Sequence, residues 1–221
     1  MDQKKQAQTE VQSLEETNQA RTPGKIESPV KAQTLSFSTQ EKALFALAIA
    51  QRQSPNFKLW CELDEAHRDL ASLFDKCRDY LCSFLQGDGS EKGFASRLGE
   101  LSLLIEATQK DESLGGLFAY DAVSTLELAY EATTGANEEV IDDASLMSIT
   151  GIYNRLEAEN DDEDPADSEL MHSELLFQGK IADLISKEGK HDHQKIALSL
   201  TRKVLQEALS AGVSNIGLSI S

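Results

Sequence analysis

From Ala43 to Leu209 the large apolar residues recur every three or four positions. At 3.6 residues per turn that spacing gathers them on one face of a helix, whereas a half-buried strand needs alternation with a period of two. The chain is therefore predicted to be all-α. Leu70, Leu73, Phe74, Cys77, Leu81 and Phe84 carry the pattern most plainly, followed by Phe94, Leu98, Leu101, Leu104 and Ile105. Further stripes begin at Val140, at Leu170 and, for the last helix, at Ile196. Leu117 to Thr134 is apolar on more than one face, which predicts a central helix. The segments add up to one compact bundle of about seven helices over residues 35–221.

Local signals set the boundaries. Ser38 with Glu41 three places on has the form of a capping box, which satisfies orphan backbone donors at a helix start. Ala43, Leu44, Leu47 and Ala48 continue from it until Ser54-Pro55, which is predicted to stop the helix. Phe57, Trp60 and Leu63 then suggest a short helix or turn. Gly87-Asp88-Gly89, the stretch Thr108 to Gly116, and Gly135 read as connections, and Gly212 as a C-cap. Only Ile216, Leu218 and Ile220 alternate with period two, which predicts a short extended segment laid onto the bundle.

Residues 1–34 hold almost no large apolar side chain and cannot bury enough surface to offset ordering entropy, so they are predicted to be a disordered extension. They carry five basic and five acidic groups, which leaves the whole net charge of −17 on the remainder. Such a surface repels phosphate backbones and anionic leaflets, which argues against nucleic acid and membranes and leaves a basic protein, or no electrostatic partner at all, as the expectation. No window approaches the roughly 18 apolar residues of a membrane span, and the N-terminus lacks a signal-peptide core, so the expected location is cytoplasmic. Cys61, Cys77 and Cys82 are odd in number and form no CxxC pair, so they are expected to be reduced, buried thiols.

Chemical motifs are sparse. Gly87, Gly89 and Gly93 are spaced G-x-G-x-x-x-G with no preceding strand, which favours a helix-to-helix turn over a phosphate cradle. His191 and His193 flank Asp192, with His172 upstream, yet a spacing of two on a helix points the rings apart, and solvated histidines are the better reading than a metal site. The eight carboxylates from Glu157 to Glu169 lack the glycine of a calcium loop and are expected to form a solvated linker. No triad or nucleophile signature gives positive support for catalysis, and no motif calls for a cofactor or metal. Asp121 is the unusual carboxylate: set among Phe118, Ala119, Tyr120, Ala122 and Val123, it is expected to be partly desolvated with a raised pKa.

Four stretches together resemble a family of uncharacterised bacterial proteins, the YjaG-like family, a domain of unknown function. They are Leu44 to Ala48 running into Gln51-Arg52-Gln53-Ser54-Pro55-Asn56-Phe57, then Gly116-Leu117-Phe118-Ala119-Tyr120-Asp121-Ala122, Ser145-Leu146-Met147-Ser148-Ile149-Thr150, and Gly212-Val213-Ser214-Asn215-Ile216-Gly217-Leu218. The family pattern has Glu-Arg where this chain has Gln51-Arg52, and Pro-Ala/Ile-Asp where it has Ala119-Tyr120-Asp121, which marks a divergent member. The resemblance implies a compact helical fold and no established activity. It also singles out Arg52 as the expected ion-pair partner of Asp121, with Asn56 as a polar neighbour. Two functions follow as expectations: a helical interaction or regulatory module without catalysis, and a small-molecule or metal-dependent activity centred on Asp121 and Arg52.

Overall fold

The structure, a computed structural model, describes residues 28–159, 164–188 and 196–219. Among the described residues there are eight α-helices and no strand: α1 (Lys31–Thr34), α2 (Thr39–Leu63), α3 (Arg68–Leu85), α4 (Glu91–Gln109), α5 (Leu114–Thr134), α6 (Val140–Ala158), α7 (Glu169–Glu188) and α8 (Leu198–Leu209). Single 3-10 turns at Glu65–His67 and Pro165–Asp167 precede α3 and α7.

The central helix is α2, with α5 as its most extensive partner and α3, α6, α7 and α8 also packed against it. Every residue from Ala43 to Ala50 is 0% exposed, so this segment is buried all round rather than on one stripe. Four alanines in that run, with Ala119, Ala122 and Ala129 on α5, leave little side chain between the two backbones and let them approach closely. The predicted centrality of Leu117 to Thr134 therefore holds for a neighbour of the axis rather than the axis itself. The capping box is present: Glu41 N–H donates to Ser38 Oγ at 3.3 Å, and Ser38 N–H donates to Glu41 Oε2 at 2.7 Å.

Ser54-Pro55 does not end this helix, which runs on for two more turns to Leu63. Proline removes the N–H that would have bonded the carbonyl of Gln51. Ser54 supplies the replacement, its hydroxyl donating to Gln51 O at 2.8 Å. The expected short element after Pro55 is thus the second half of α2, and Asn56, Trp60 and Leu63 stand on the same helix as Arg52.

Residues 1–27 of the expected disordered extension lie outside the described residues, but residues 28–34 are part of the fold. Val30 is 1% exposed in the main core, and Lys31 pairs with Asp142 at 2.8 Å. At the other end Gly212 N–H bonds the last carbonyl of α8, Leu209 O, at 3.1 Å. A tight turn follows, in which Ser214 N–H donates to Leu218 O at 2.8 Å and a lone antiparallel bridge joins Val213 to Ser219. Ile220 lies outside the described residues. Ile216 plugs the turn into a second, smaller core formed with Phe118, Ile149, Ile152, Leu156 and Met171. Gly217 sits at φ +77°, a left-handed backbone that residues with a side chain rarely adopt, which is why glycine suits this position.

Cys61 and Cys77 are buried, whereas Cys82 is only half-buried, so the expectation of three buried thiols is corrected at that position. All three are free; burial pushes Cys61 and Cys77 up to about 12 and Cys82 to about 11. Among the described residues no helix is long and apolar enough to cross a membrane.

Candidate functional site

The bundle encloses a chain of polar side chains where α2, α6, α7 and the C-terminal turn meet. Arg52, 2% exposed, donates from Nε to Glu174 Oε2 at 2.7 Å, while Glu174 itself is fully buried. The guanidinium also lies 3.4 Å from Ser173 Oγ and stacks over the Phe177 ring at 4.6 Å. Glu174 Oε1 accepts from Ser148 Oγ at 2.8 Å and from Gln178 Nε2 at 3.0 Å, and Gln178 Oε1 accepts from Ser145 Oγ at 2.6 Å. Two charges taken out of water are tolerated here because each is paired and the remaining lone pairs are satisfied. The expected pairing of Arg52 with Asp121 is therefore corrected: the partner is Glu174.

Asn56 and Asn215 extend the chain, and their amide orientations follow from one acceptor. Asn215 Nδ2 lies 3.1 Å from the backbone carbonyl of Ser148, which can only accept, so the amide nitrogen must face it. The Asn215 oxygen then faces Asn56, whose Nδ2 donates to it at 2.9 Å. That leaves the buried Asn56 Oδ1 with no hydrogen-bond partner. Arg52 and Asn56 are thus brought together through Glu174, Ser148 and Asn215, with Asn56 at the end nearest the surface.

Asp121 stands apart, across Gly151 from this chain. A Cβ on Gly151 would lie in ordinary contact, 3.4 Å, with both Asp121 Oδ2 and Asn215 Nδ2, which places this point of α6 between α5 and the C-terminal turn. Asp121 is half-buried, and desolvation raises its carboxyl from an ordinary 3.8 to about 7. It opens onto a groove between α5 and α6 of about 560 Å³ that also holds Ser124, Glu127 and Asp143.

On the opposite side of the C-terminal turn lies an apolar cleft of about 290 Å³. Asn56, Leu59, Trp60 and Leu63 from α2 form one wall, Leu114, Gly115 and Phe118 from α5 the second, Ile216 and Leu218 the floor, and Arg155 with Glu159 the polar end. Its rim is unusually apolar: Leu63 is 77% exposed, Leu59 39% and Leu114 37%. Trp60 is held rigid, its Nε1–H donating to Asp111 Oδ2 at 2.7 Å and its ring stacked on His67 at 3.9 Å. The indole donor and Ser113 hold the Asp111 carboxyl below the usual carboxylate range. Arg155 donates from Nε to Glu159 at 2.9 Å and from Nη1 to the carbonyl of Ile216, which pins the turn to α6.

The remaining motifs resolve simply. Gly87 to Ser90 join α3 to α4, and Gly93 is the point where the Tyr80 ring crosses α4. His172 is exposed on α7, while His191, Asp192 and His193 lie outside the described residues. Residues 160–163 of the acidic run also lie outside them, and Asp164 caps a 3-10 turn through Ala166 N–H at 3.0 Å rather than continuing a linker. Among the described residues no group of three or more His, Cys, Asp or Glu side chains is placed to hold a metal ion.

Glu174, Gln178, Ser145 and Ser148 are not legible as a site from the sequence, although a signal is present. Glu174 and Gln178 occupy positions between Met171, Phe177 and Ile181 that the helical period assigns to the core, and a buried acid demands a partner.

An uncharacterised protein of Haemophilus influenzae is 25% identical over 199 residues, which spans 87% of this chain and 98% of that protein. The crystal structure of a DUF416 family protein from Shewanella baltica superposes with a TM-score of 0.70 at 24% identity, covering 86% of this chain and 97% of the other, a likeness of fold. The sequence profile described as "Protein of unknown function (DUF416)" matches residues 29–219, a span that begins with the buried Val30 segment and ends with the bridge that closes the C-terminal turn. The chain belongs to the DUF416 family of uncharacterised proteins.

Proposed function

We propose that this chain is a cytoplasmic, non-catalytic interaction module whose apolar cleft receives a basic amphipathic helix of a partner protein. The narrower YjaG-like grouping, drawn from the four sequence stretches, belongs to the same proposal. The observation that carries it is the concentration of exposed leucines around one concavity: Leu59, Leu63 and Leu114 rim the cleft. Isolated exposed leucines are ordinary, whereas several converging on a cavity mark a surface built to be covered. Charge supplies the partner's chemistry. Glu159 lines the cleft, Glu62 and Asp64 flank its rim residue Leu63 in sequence and Glu112 precedes Leu114 by two; all four are exposed on a chain of net charge −17, so a helix with leucines on one face and lysines on the other complements it.

Trp60 is the sole tryptophan, and its emission therefore reports on this cleft alone. A synthetic leucine-lysine helix without tryptophan is expected to give a saturable change in that emission. Leu63→Asp combined with Leu114→Asp, both at exposed positions, is expected to abolish the response with the fold intact by circular dichroism. If a peptide of the same composition with leucine at every second position binds as well, or if the double variant responds like wild type, the reading fails. Arg52 and Asp121 as a joint reactive centre are less favoured, because the Arg52 guanidinium donates to Glu174 rather than to Asp121.

A further inference from the structure

The groove between α5 and α6 lies outside the cleft just described and has a different chemistry. Asp121 opens onto one end of it and Glu127 and Asp143 onto the other, with Leu146 and Met147 between, Leu128 beside Glu127, and no basic side chain lining it. Asp121 and Glu127 are six residues apart on α5, which at 1.5 Å per residue separates their origins by about 9 Å along the helix. Carboxylates so spread do not converge on a single ion, and among the described residues none form a metal-holding group. Ser124 lies between them, is 6% exposed, and its hydroxyl has no hydrogen-bond partner. A buried hydroxyl left unsatisfied is costly, and Ser124 is one of the residues that line the groove.

We propose that this groove binds a linear aliphatic polyamine, with its terminal ammonium groups at Asp121 and at Glu127 with Asp143, its methylenes along Leu146 and Met147, and an inner amine donating to Ser124. Separated positive charges on an apolar backbone match separated carboxylates across an apolar floor. A compact divalent cation does not span the ends, and a monoamine uses only one of them. An ammonium group beside Asp121 also offsets the desolvation that raises its carboxyl. The site is independent of the apolar cleft, since they share no lining residue.

The test is isothermal titration of the full chain with spermidine at pH 7.5 in physiological salt, with butylamine and magnesium chloride as controls. The expected result is saturable binding of one spermidine per chain, with both controls weaker by tenfold or more. Asp121→Asn is expected to weaken binding at least tenfold and Ser124→Ala a few-fold, while Asp88→Asn, an exposed acid in the turn between α3 and α4, leaves it unchanged. Thr150→Lys adds a tethered ammonium from an exposed position lining the groove, and is expected to abolish binding without disturbing the core. Several spermidines bound per chain with equal affinity in all four variants would reveal only a counterion cloud on an acidic protein and would overturn the proposal. So would magnesium binding as tightly as spermidine, or no saturable heat at all.

Discussion

The hydroxyl of Ser54 donates to the carbonyl oxygen of Gln51 at 2.8 Å, replacing the hydrogen bond that Pro55 withholds from its own helix. One residue thus repairs the break made by the next. Ser54→Ala is expected to cost about 1–2 kcal/mol, because it strands a buried carbonyl. In a Pro55→Ala background the same change is expected to cost far less, since the alanine introduced there brings a backbone N–H that restores the ordinary bond. Urea denaturation of the four proteins measures the coupling. Equal costs in both backgrounds would mean that the serine does not serve this carbonyl.

Arg52 and Glu174 form the next relationship with a direct energetic consequence. Arg52→Met leaves Glu174 buried with its charge uncompensated and is expected to cost about 3–5 kcal/mol. Arg52→Met with Glu174→Leu removes both charges and is expected to recover most of that loss. Arg52→Lys is also expected to destabilise, because an ammonium lacks the planar group that stacks on Phe177. Equilibrium denaturation decides: a single Arg52→Met variant no less stable than wild type would remove the pair from the account.

These two relationships also mark where the sequence is legible. The helical period of α3, α4, α6 and α7 can be read directly, because each buries one face. The rule that proline ends a helix fails at Pro55, since Ser54 offers a local donor that pattern reading does not weigh. Periodicity is equally blind in α2, where burial from Ala43 to Ala50 is complete and no face is distinguished. For the site, Arg52 and Asn56 do belong to one polar chain, but the pairing with Asp121 is not borne out. A lone arginine cannot name its partner across 122 residues of chain, and Glu174 is hidden in an apolar stripe where an acid is least expected.

Asp121 gives a pH dependence with a definite sign. Its carboxyl titrates near 7 in the folded chain against an ordinary 3.8, so the folded state holds the proton more tightly. Stability from this group is therefore complete below an ordinary 3.8 and is lost as pH rises to 7 and beyond. Burial and the neighbouring Glu131 also raise Glu127, which faces the same groove and acts in the same direction. Asp121→Asn is expected to match wild type near pH 4 and to exceed it by about 2 kcal/mol at pH 8, allowing for partial solvent exposure. Denaturant midpoints across this range test it, and a difference that does not grow with pH would refute the assignment.

The orientation of Asn215 can be tested by removing its donor while keeping its shape. In Asn215→Asp an acceptor oxygen faces the Ser148 carbonyl, which is itself only an acceptor and lies 3.1 Å from the nitrogen that is lost. The variant is expected to lose about 2–3 kcal/mol at pH 8, combining the missing bond with the burial of an unpaired carboxylate. Protonation returns a hydroxyl donor to the same place, so the new carboxyl is expected to titrate above the ordinary aspartate range, with stability regained as pH falls through that value. A purely steric loss would have no such dependence. Equal destabilisation at pH 4 and pH 8 would therefore reject the amide chain from Ser148 through Asn215 to Asn56, and with it the unpartnered oxygen that Asn56 presents beside the apolar cleft.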